Sequence, residues 1–407
     1  TANGLRLFLN SKECYPVIGC VPVNSGADPM ALELRVVFPF GYSAWWTGRK
    51  KYNFAAFDLA AEHAASMYPD AKFLIQIPLY MPMDWPDQHP DQMSCTESGR
   101  LGNSMGSNEV PHSFSSRIAF EEMRCAVRAA VEYLENSPYR DRIAGYRIAG
   151  GMTAEWIGWG HNGKLLMDYS KPAKKAFAEY AAEHFPGTGI SAIPSQAARL
   201  SRSPNQDDLL DPENRMADIA YNYFYSDSIA DVVIEMCRIA KTACGNSKIV
   251  GSYYGYIFCL TLSEYPQNSG HLALHKLLKS GAVDFLMSPP SYAIRRLGYA
   301  MTDMKPFATI EKYGVLPIIE NDPRTHSMPL LPAGMSYNQA LNLEQSLQVL
   351  QRDFGIALCR LQPILMYSYV GIYHSEFSFP EMRPLTDQAI AAGKHMLKNN
   401  TRRRAEI

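Results

Sequence analysis

This sequence lacks an excess of charge of either sign, and it lacks any apolar segment long enough to span a bilayer. Its 407 residues include 39 Lys and Arg and 40 Asp and Glu, which gives a formal net charge of -1 at pH 7. That balance offers no electrostatic attraction for a nucleic acid or an anionic membrane. No apolar run approaches roughly 18 residues, and no basic segment followed by an apolar one stands at the N-terminus. We therefore expect neither a nucleic acid nor a membrane as a partner.

Cysteine motifs are also missing. The eight cysteines lie at positions 14, 20, 95, 125, 237, 244, 259 and 359, without a C-x-x-C pair or the spacing of a zinc site. Free, buried thiols are therefore expected, and they favour a reducing compartment, although a large periplasmic enzyme with unpaired cysteines also fits. The compartment thus stays open between the cytoplasm and the periplasm of a bacterium. The chain starts without methionine, so we expect it to be a processed or excised part of a longer protein.

What the sequence does contain is a series of short, largely apolar runs. Runs of this kind are typical of strands in a parallel sheet that is buried on both faces. Eight of them recur along the chain, at 15–23, 32–40, 72–80, 143–151, 248–256, 284–292, 315–322 and 359–369. Between them, helical patterns predict helices at 55–67, 116–136, 172–184, 217–243, 271–279, 301–313 and 339–355.

This alternation predicts a (β/α)8 barrel, an α/β fold of the TIM-barrel type, with a doubly wound open sheet as the alternative. Residues 6–19 read as strand, turn and strand, so a short β-hairpin is expected before the barrel. The expected division is a hairpin at 1–14, a barrel at 15–398 and a tail at 399–407. Long connections after the third and fourth strands, at 81–115 and 185–215, are expected to form walls or lids of a site.

One carboxylate stands out at the end of the fourth run. Residues 145–160 read GYRIAGGMTAEWIGWG, in which two glycines end the strand and Glu155 follows, beside Trp156 and Trp159. A carboxyl group against indole rings is expected to have a raised pKa, because burial disfavours its charged form. Such a group can donate a proton near neutral pH. The alternative is a solvated glutamate at the start of a helix.

A second candidate carboxylate is Glu320, which ends the seventh run in VLPIIENDPRTH. Arg324 follows closely, and we expect it to keep Glu320 ionised, in contrast to the environment of Glu155. Two carboxylates in opposite protonation states are the working pair of glycoside hydrolysis. Because the fourth and seventh strands lie on opposite sides of an eight-stranded ring, a sugar fits between them. The alternative is a structural ion pair of Glu320 with Arg324.

Aromatic residues gather at the predicted ends of the strands. They are expected to form a cup in which ring faces stack on a sugar while polar groups bind its hydroxyls. The alternative is that the rings fill the mouth of the barrel. The tryptophans of this set are Trp45, Trp46, Trp85, Trp156 and Trp159, and the tyrosines are Tyr254, Tyr256, Tyr292, Tyr367 and Tyr369.

Other patterns are weaker. His271 and His275 stand four apart, as metal ligands on one helix face do, but no zinc-protease glutamate accompanies them. Residues 158–164 match the spacing of a phosphate-binding loop, but Leu165 replaces the magnesium-binding Ser or Thr. Glu376, after the eighth run, is a third candidate carboxylate. Neither a G-x-S-x-G elbow nor a dinucleotide fingerprint occurs, and we expect no cofactor and no metal.

Several stretches together resemble a family of barrel glycoside hydrolases. They lie at 52–85, 143–160, 168–180, 251–256, 269–274, 288–298 and 320–326. In this order they are similar to the family 42 β-galactosidases, in the clan of retaining hydrolases whose acid/base follows strand four and whose nucleophile ends strand seven. The resemblance implies Glu155 as acid/base, Glu320 as nucleophile and Tyr292 as the tyrosine that hydrogen-bonds the nucleophile. Ala154 departs from the pattern, because the clan commonly has an asparagine there that binds the sugar 2-hydroxyl.

The resemblance also implies an activity. It predicts an exo-acting, retaining β-glycosidase with a carbohydrate substrate, in which Arg324 and His326 orient the region of the nucleophile. Family members often carry additional β-domains and form trimers, so a homo-oligomer or further domains of a longer chain are expected. The alternatives are a non-catalytic carbohydrate-binding barrel, which Ala154 favours, and a metal-dependent barrel enzyme that uses His271 and His275.

Overall fold

Short strands and longer helices alternate along the chain. The computed structural model describes residues 6–9, 11–15, 17–21, 30, 32–41, 44–102, 109–161, 165–201, 210–258, 266–292, 294–328, 338–367, 377, 379–399 and 401. The strands are β1 (Leu7–Leu9), β2 (Lys12–Cys14), β3 (Val17–Cys20), β4 (Leu34–Val37), β5 (Trp46–Gly48), β6 (Lys51–Tyr52), β7 (Lys72–Pro78), β8 (Ile143–Ala149), β9 (Ile249–Tyr253), β10 (Phe285–Ser288), β11 (Leu316–Asn321) and β12 (Ile364–Met366).

Eight of these strands, β3, β4 and β7 to β12, close into a parallel barrel. Each pairs with the next along the chain, and the last pairs with the first, where Ile364 and Leu365 lie beside Val17 and Ile18. Parallel strands need crossover connections, and from the second barrel strand onward each connection contains a helix. The predicted (β/α)8 barrel is confirmed, and each of the eight predicted runs contains one barrel strand.

Helices connect the strands and pack around the barrel. They are α1 (Ala55–Met67), α2 (Trp85–Gln88), α3 (Arg117–Glu135), α4 (Lys171–His184), α5 (Gln196–Leu200), α6 (Pro212–Ala243), α7 (Leu274–Lys279), α8 (Phe307–Lys312), α9 (Leu343–Arg360) and α10 (Arg383–Lys398). The capping side chains explain several starts, since Ser116 accepts a hydrogen bond from the Ala119 amide and Ser170 accepts one from the Ala173 amide. No helix of the described ranges is long and apolar enough to cross a membrane.

Two antiparallel hairpins accompany the barrel. Strands β1 and β2 form the predicted N-terminal hairpin, with Leu7 opposite Cys14, and an Arg6–Glu13 ion pair of 2.7 Å joins its two arms. Strands β5 and β6 form a second hairpin, between β4 and α1, that was not predicted. The division into hairpin, barrel and tail stays a prediction.

The side chains of the barrel strands divide between the inside of the barrel and its outer face. Successive residues of a strand point to opposite faces. One set packs inside the barrel and includes Ile18, Leu34, Leu74, Phe285 and Leu365. The other set packs against the surrounding helices and includes residues such as Phe73, Ile75 and Ile148. The face on which a residue lies therefore decides whether it can reach the interior of the barrel.

The last helix, α10, was not predicted. Its first turn contains Pro384, and a glycine interrupts its apolar pattern, which weakens the helical signal. That glycine has a packing role, since a Cβ at Gly393 would lie 2.1 Å from Cδ1 of Tyr15, just before the first barrel strand. The contact holds the last helix against the start of the barrel.

The seven predicted helices are present, although α8 is shorter than the predicted 301–313.

Candidate active site

Glu320 lies at the end of the seventh barrel strand, at the carboxyl edge where such barrels place their active sites. Its ladder partner is Leu365 of the eighth strand, and its side chain is 7% exposed. The hydroxyl of Tyr253, the last residue of the fifth strand, donates a hydrogen bond to Glu320 Oε2. Nη1 of Arg147, from the fourth strand, lies 3.8 Å from the same oxygen. Side chains of three barrel strands therefore meet at this carboxyl group.

Arg147 is the central cation of the group. It is 1% exposed, and its Nη1 donates to the Tyr253 hydroxyl at 2.6 Å. Its guanidinium carbon lies 5.1 Å from the centroid of the Phe38 ring and 4.9 Å from that of Tyr253. A relay therefore runs from the guanidinium through the phenol to Glu320. Donors of this kind stabilise the charged form of a carboxyl group.

Glu155 lies on a loop after the fourth strand, and the backbone of that loop is unusual. Three non-glycine residues have positive φ: Thr153 (+59°), Ala154 (+65°) and Trp156 (+59°). The left-handed region is unfavourable for residues with a Cβ, above all for β-branched ones. Gly151, with φ +65°, begins the bend, and a Cβ there would lie 2.7 Å from Cα of Trp156. Side-chain contacts hold this strained loop in place.

Hydroxyl groups surround the Glu155 carboxyl. Oγ1 of Thr153 lies 2.6 Å from Oε2, and the hydroxyl of Tyr256 donates to Oε1 at 2.7 Å. The loop is tied from outside by Glu109, whose Oε1 accepts the Thr153 amide at 2.9 Å. The ring of His271 lies 4.7 Å from that of Tyr256 and accepts its backbone N–H at Nδ1. Glu155 itself is partly exposed.

The pKa of Glu155 is raised to about 6. Burial is the main cause, and the charge of Asp322 adds to it, while the hydrogen bonds from Thr153 and Tyr256 and the charge of Arg147 lower the pKa. The predicted raised pKa is thus present. Its cause is burial of the carboxyl group in the site, and the only neighbours that hydrogen-bond it in the described structure are hydroxyls.

The pKa of Glu320 is raised as well, to about 8. Burial is again the main cause, and the charges of Glu155 and Asp322 act in the same direction, against Arg147 and the Tyr253 hydrogen bond. The expectation that Arg324 would keep Glu320 ionised is therefore wrong, since the cation beside Glu320 is Arg147 and burial outweighs its effect on the pKa. Both carboxyl groups therefore hold a proton more readily than a solvated glutamate does.

Arg324 does not contact Glu320, because Asp322 binds it instead. Nη1 of Arg324 lies 2.9 Å from one carboxylate oxygen of Asp322, and Nη1 of Arg295 lies 2.5 Å from the other. The hydroxyl of Tyr292 donates to this same Asp322 at 3.1 Å. The tyrosine that hydrogen-bonds the candidate nucleophile is thus Tyr253, and the assignment to Tyr292 is corrected.

His326 is directed away from this group. Its Nδ1 lies 2.9 Å from Oγ of Ser346 on α9, and its backbone N–H donates to the same oxygen at 3.0 Å. This arrangement fixes the chain after the seventh strand to a helix of the outer layer. Arg324 therefore binds Asp322, and His326 anchors the chain that follows it. In the described part of the chain, neither side chain contacts Glu155 or Glu320.

The five tryptophans are not on an open surface. Their indole nitrogens reach inward, as in Trp45, which donates to the Pro78 carbonyl at 2.9 Å, and in Trp156, which donates to Ser252 Oγ at 2.8 Å. A ring whose faces are covered by protein cannot stack on a sugar, so the structure places none of them where a sugar platform needs them. The residues that are only 0–2% exposed and belong to the outer core are Trp45, Trp46, Trp85, Trp156 and Trp159.

Tyr254 is on the wrong face of the fifth strand for a site inside the barrel. Its hydroxyl donates to the Gly270 carbonyl at 2.7 Å, and its ring packs in the outer core. Its neighbour Tyr253 is the residue that reaches Glu320. The sequence contained both tyrosines, but only the strand parity distinguishes them.

Arg147, in the strand run GYRIAGG, could have been found by asking why an apolar strand contains one cation.

The predicted histidine pair is divided. His271 is buried against Tyr254 and Tyr256, whereas His275 is exposed and its Nδ1 lies 3.1 Å from the Tyr313 hydroxyl. Within the described ranges, no three His, Cys, Asp or Glu residues are arranged to hold a metal ion. Three further candidates lie outside the described residues. They are residues 162–164 of the segment with the spacing of a phosphate-binding loop, Tyr369 and Glu376.

Comparisons with known proteins agree on the fold. No family model and no curated protein matches this sequence. Among solved structures, a β-galactosidase from the psychrophilic Marinomonas ef1 superposes on 94% of this chain and 59% of its own, with a TM-score of 0.59 and 14% identity. The catalytic domain of a β-amylase from Paenibacillus polymyxa superposes on 91% of this chain and 95% of its own, with a TM-score of 0.57 and 12% identity.

A catalytic mutant of a GH42 β-galactosidase from G. stearothermophilus is also similar, with a TM-score of 0.54, 11% identity, and coverage of 91% of this chain and 52% of its own. The chain therefore spans between half and three-fifths of the length of these β-galactosidases. At such identities the likeness concerns the fold. This chain has the (β/α)8 barrel fold of the GH42 β-galactosidases, and the resemblance stated from its sequence is confirmed at that level.

Proposed function

We propose that this chain is a retaining, exo-acting β-glycosidase of β-galactosidase-like type that needs no cofactor. One observation carries the proposal. Two carboxyl groups, the partly exposed Glu155 after the fourth strand and the buried Glu320 at the end of the seventh, lie at the carboxyl edge of the barrel. Tyr253 and Tyr256, three residues apart at the end of the fifth strand, bond Glu320 and Glu155 respectively, and the charge of Glu155 raises the pKa of Glu320. A pair of carboxyl groups on either side of a cleft is the machinery of glycoside hydrolysis.

In the proposed first step, Glu320 attacks the anomeric carbon and forms an ester bond to the sugar. The bond between the anomeric carbon and the leaving oxygen breaks, and Glu155 transfers its proton to that oxygen. In the second step Glu155 takes a proton from a water molecule, the water oxygen attacks the anomeric carbon, and the ester bond breaks. Glu320 leaves as a carboxylate, and Glu155 is again protonated.

The cycle needs Glu155 protonated and Glu320 ionised at its start. Burial raises the pKa of both carboxyl groups, so each favours its protonated form. Arg147 and the Tyr253 hydroxyl favour the carboxylate of Glu320, and the positive charge that develops at the anomeric carbon in the transition state favours it further.

A glycoside screen tests the proposal directly. Wild type is assayed with nitrophenyl α- and β-glycosides, and the configuration of the first-formed product is followed by NMR. We expect turnover of a β-glycoside with retention, and loss of turnover in Glu155→Gln and Glu320→Gln. Glu135→Gln is the matched control, since Glu135 ends α3, is about as buried as Glu320, and accepts a hydrogen bond from Tyr146 of the fourth strand. Inversion, or full activity in both variants, contradicts the proposal.

A non-catalytic carbohydrate-binding barrel is the second candidate. It is favoured by Ala154, which cannot bind a sugar hydroxyl, and by the raised pKa of Glu320, since a protonated carboxyl is not a nucleophile. Titration calorimetry with mono- and disaccharides distinguishes the two functions. Binding of a sugar without turnover of any glycoside, at pH values on both sides of 8, supports the second.

A further inference from the structure

The hydroxyl of Thr153 faces two acceptors at once. Its Oγ1 lies 2.6 Å from the Met152 carbonyl oxygen and 2.6 Å from Oε2 of Glu155. A threonine hydroxyl has one proton and two lone pairs, so it can donate to only one of these oxygens at a time. Both distances are those of a strong hydrogen bond. When Thr153 donates to the Met152 carbonyl, its contact with Glu155 is therefore favourable only if Oε2 of Glu155 carries a proton.

The protonation of Glu155 decides which arrangement is present. When Glu155 is ionised, Thr153 donates to Oε2. When Glu155 is protonated on Oε2, that O–H donates to Oγ1, and Thr153 turns its own proton to the Met152 carbonyl. The carbonyl is satisfied in either state, since it also accepts the Glu155 amide at 3.3 Å. The carboxyl group keeps its position in both states while a single hydroxyl proton turns.

The other neighbours of Glu155 are less able to reverse the direction of a hydrogen bond with it. Tyr256 donates to the opposite oxygen, Oε1, at 2.7 Å, and within the described residues its hydroxyl has no second acceptor to which its proton could turn. Arg147 of the fourth strand and Asp322, just after the seventh, are the charged groups that act on Glu155, and both act through space. Thr153 is thus the neighbour whose hydrogen bond can reverse.

The backbone at Thr153 shows that its placement is costly. A β-branched residue at φ +59° is an outlier, and glycine or asparagine fits that conformation better. The amide of the residue is held by Glu109 Oε1 at 2.9 Å, which anchors the backbone from which the hydroxyl projects. Strained residues of this kind persist where the surroundings over-determine them, and they cluster at functional sites.

We propose that Thr153 is a positioning residue that reverses its hydrogen bond with each proton transfer of Glu155, and so keeps this carboxyl group in place as both acid and base. The proposal rests on the proposed function. It deepens that function, because it explains how one carboxyl group serves two steps that need opposite protonation states.

Two variants isolate the hydroxyl. Thr153→Val keeps the β-branched shape without the hydroxyl, and Thr153→Ser keeps the hydroxyl. For an active enzyme we expect Val to lower the rate about 10- to 100-fold, both for glycosides with poor leaving groups, which need the acid, and in the deglycosylation step, which needs the base. Ser should stay within about threefold of wild type. The alkaline limb of the pH profile should move little, because both protonation states lose a partner.

A role as donor only would give a different result. In that case Val slows only the base-dependent step, and the pKa of Glu155 rises, so that the alkaline limb moves to higher pH. Unchanged rates in Val overturn the proposal outright.

A spectroscopic measurement needs no turnover. Infrared difference spectra across a pH titration show the C=O band of protonated Glu155, identified by its loss in Glu155→Gln. We expect Val to shift this band to higher frequency, since the protonated carboxyl loses its acceptor, and Ser to leave it in place. An unshifted band in Val contradicts the hydrogen-bond reversal even if no glycoside is hydrolysed, so the failure of this inference is distinguishable from failure of the proposed function.

Discussion

The two candidate catalytic carboxyl groups are held in opposite ways. Glu320 lies within a regular strand, where its backbone follows the ladder of Ile319, Glu320 and Asn321 with the eighth strand. Glu155 lies on a loop in which Thr153, Ala154 and Trp156 have left-handed backbone. The first position is set by strand register, and the second by strain and side-chain hydrogen bonds.

The difference teaches how precision is obtained at each site. A strand residue inherits its position from the whole sheet, so few contacts of its own are needed. A loop residue has to be held by named partners, which here are Thr153, Tyr256 and Glu109. We therefore expect Glu155 to be the more adjustable group, which suits an acid/base that changes its protonation in each cycle.

The largest expected effect comes from Glu320→Ala. Loss of the proposed nucleophile should lower kcat by about 10⁴-fold or more for every substrate. Added azide should restore turnover and yield a glycosyl azide of the α configuration, because azide enters from the vacated face. A β-azide from this variant would exchange the roles of the two carboxyl groups.

Glu155→Ala should have a smaller effect that depends on the leaving group. General acid–base catalysis contributes about 10²- to 10⁴-fold, and a good leaving group needs no acid. We expect a large loss of kcat/KM with alkyl glycosides and almost none with dinitrophenyl glycosides. Azide should here yield the β-glycosyl azide. Equal losses for both substrate classes would contradict the assignment of Glu155 as acid.

The pH dependence of stability separates the two groups without a substrate. A carboxyl whose folded pKa is raised contributes stability that is complete below its unfolded pKa, about 4.5, and is lost as the pH rises through the folded value. Glu320→Gln should therefore gain roughly 3–5 kcal/mol in free energy of unfolding over wild type between pH 4 and pH 9. Glu155→Gln should gain only about 1–2 kcal/mol, and most of it by pH 7. Urea denaturation across this range checks both values.

The smallest expected effect is a matched pair of alanines. Ala149 ends the fourth strand and Ala154 lies on the loop, and both are buried. Ala149→Gly should destabilise by about 1–2 kcal/mol, because it removes a buried methyl group and adds chain entropy. Ala154→Gly should lower the free energy of unfolding by about 1 kcal/mol less than Ala149→Gly does, or leave it unchanged. Glycine relieves the left-handed strain at that position. Equal costs in chemical denaturation would show that the loop is unstrained.

The fold could be predicted because it repeats. Apolar runs and helical patterns alternate in register with the barrel, and each predicted run contains one strand. The prediction failed where a local pattern is weak, as in α10, whose Gly393 is required by contact with Tyr15 from the other end of the chain. Such a long-range contact leaves no local signal in the sequence.

The site could be predicted only in part. Glu155 and Glu320 follow strand ends and stand in recognisable motifs, but a one-residue difference in the fifth strand separates the outward Tyr254 from the inward Tyr253. Strand ends were predicted too loosely to fix that parity. The prediction that the five tryptophans form a sugar platform failed for another reason. Large aromatic rings at strand ends can pack in the outer core as well as line a site.

The closure of the barrel between β12 and β3 has a consequence for biogenesis. The first barrel strand has no partner on one edge until the last has left the ribosome, because Ile364 pairs with Val17. While the residues from β3 to β12 are translated, this edge stays open, and open edges invite pairing with other chains. Glu320 pairs with Leu365 of β12, so we expect this candidate carboxyl group to be among the last parts of the site to reach its position.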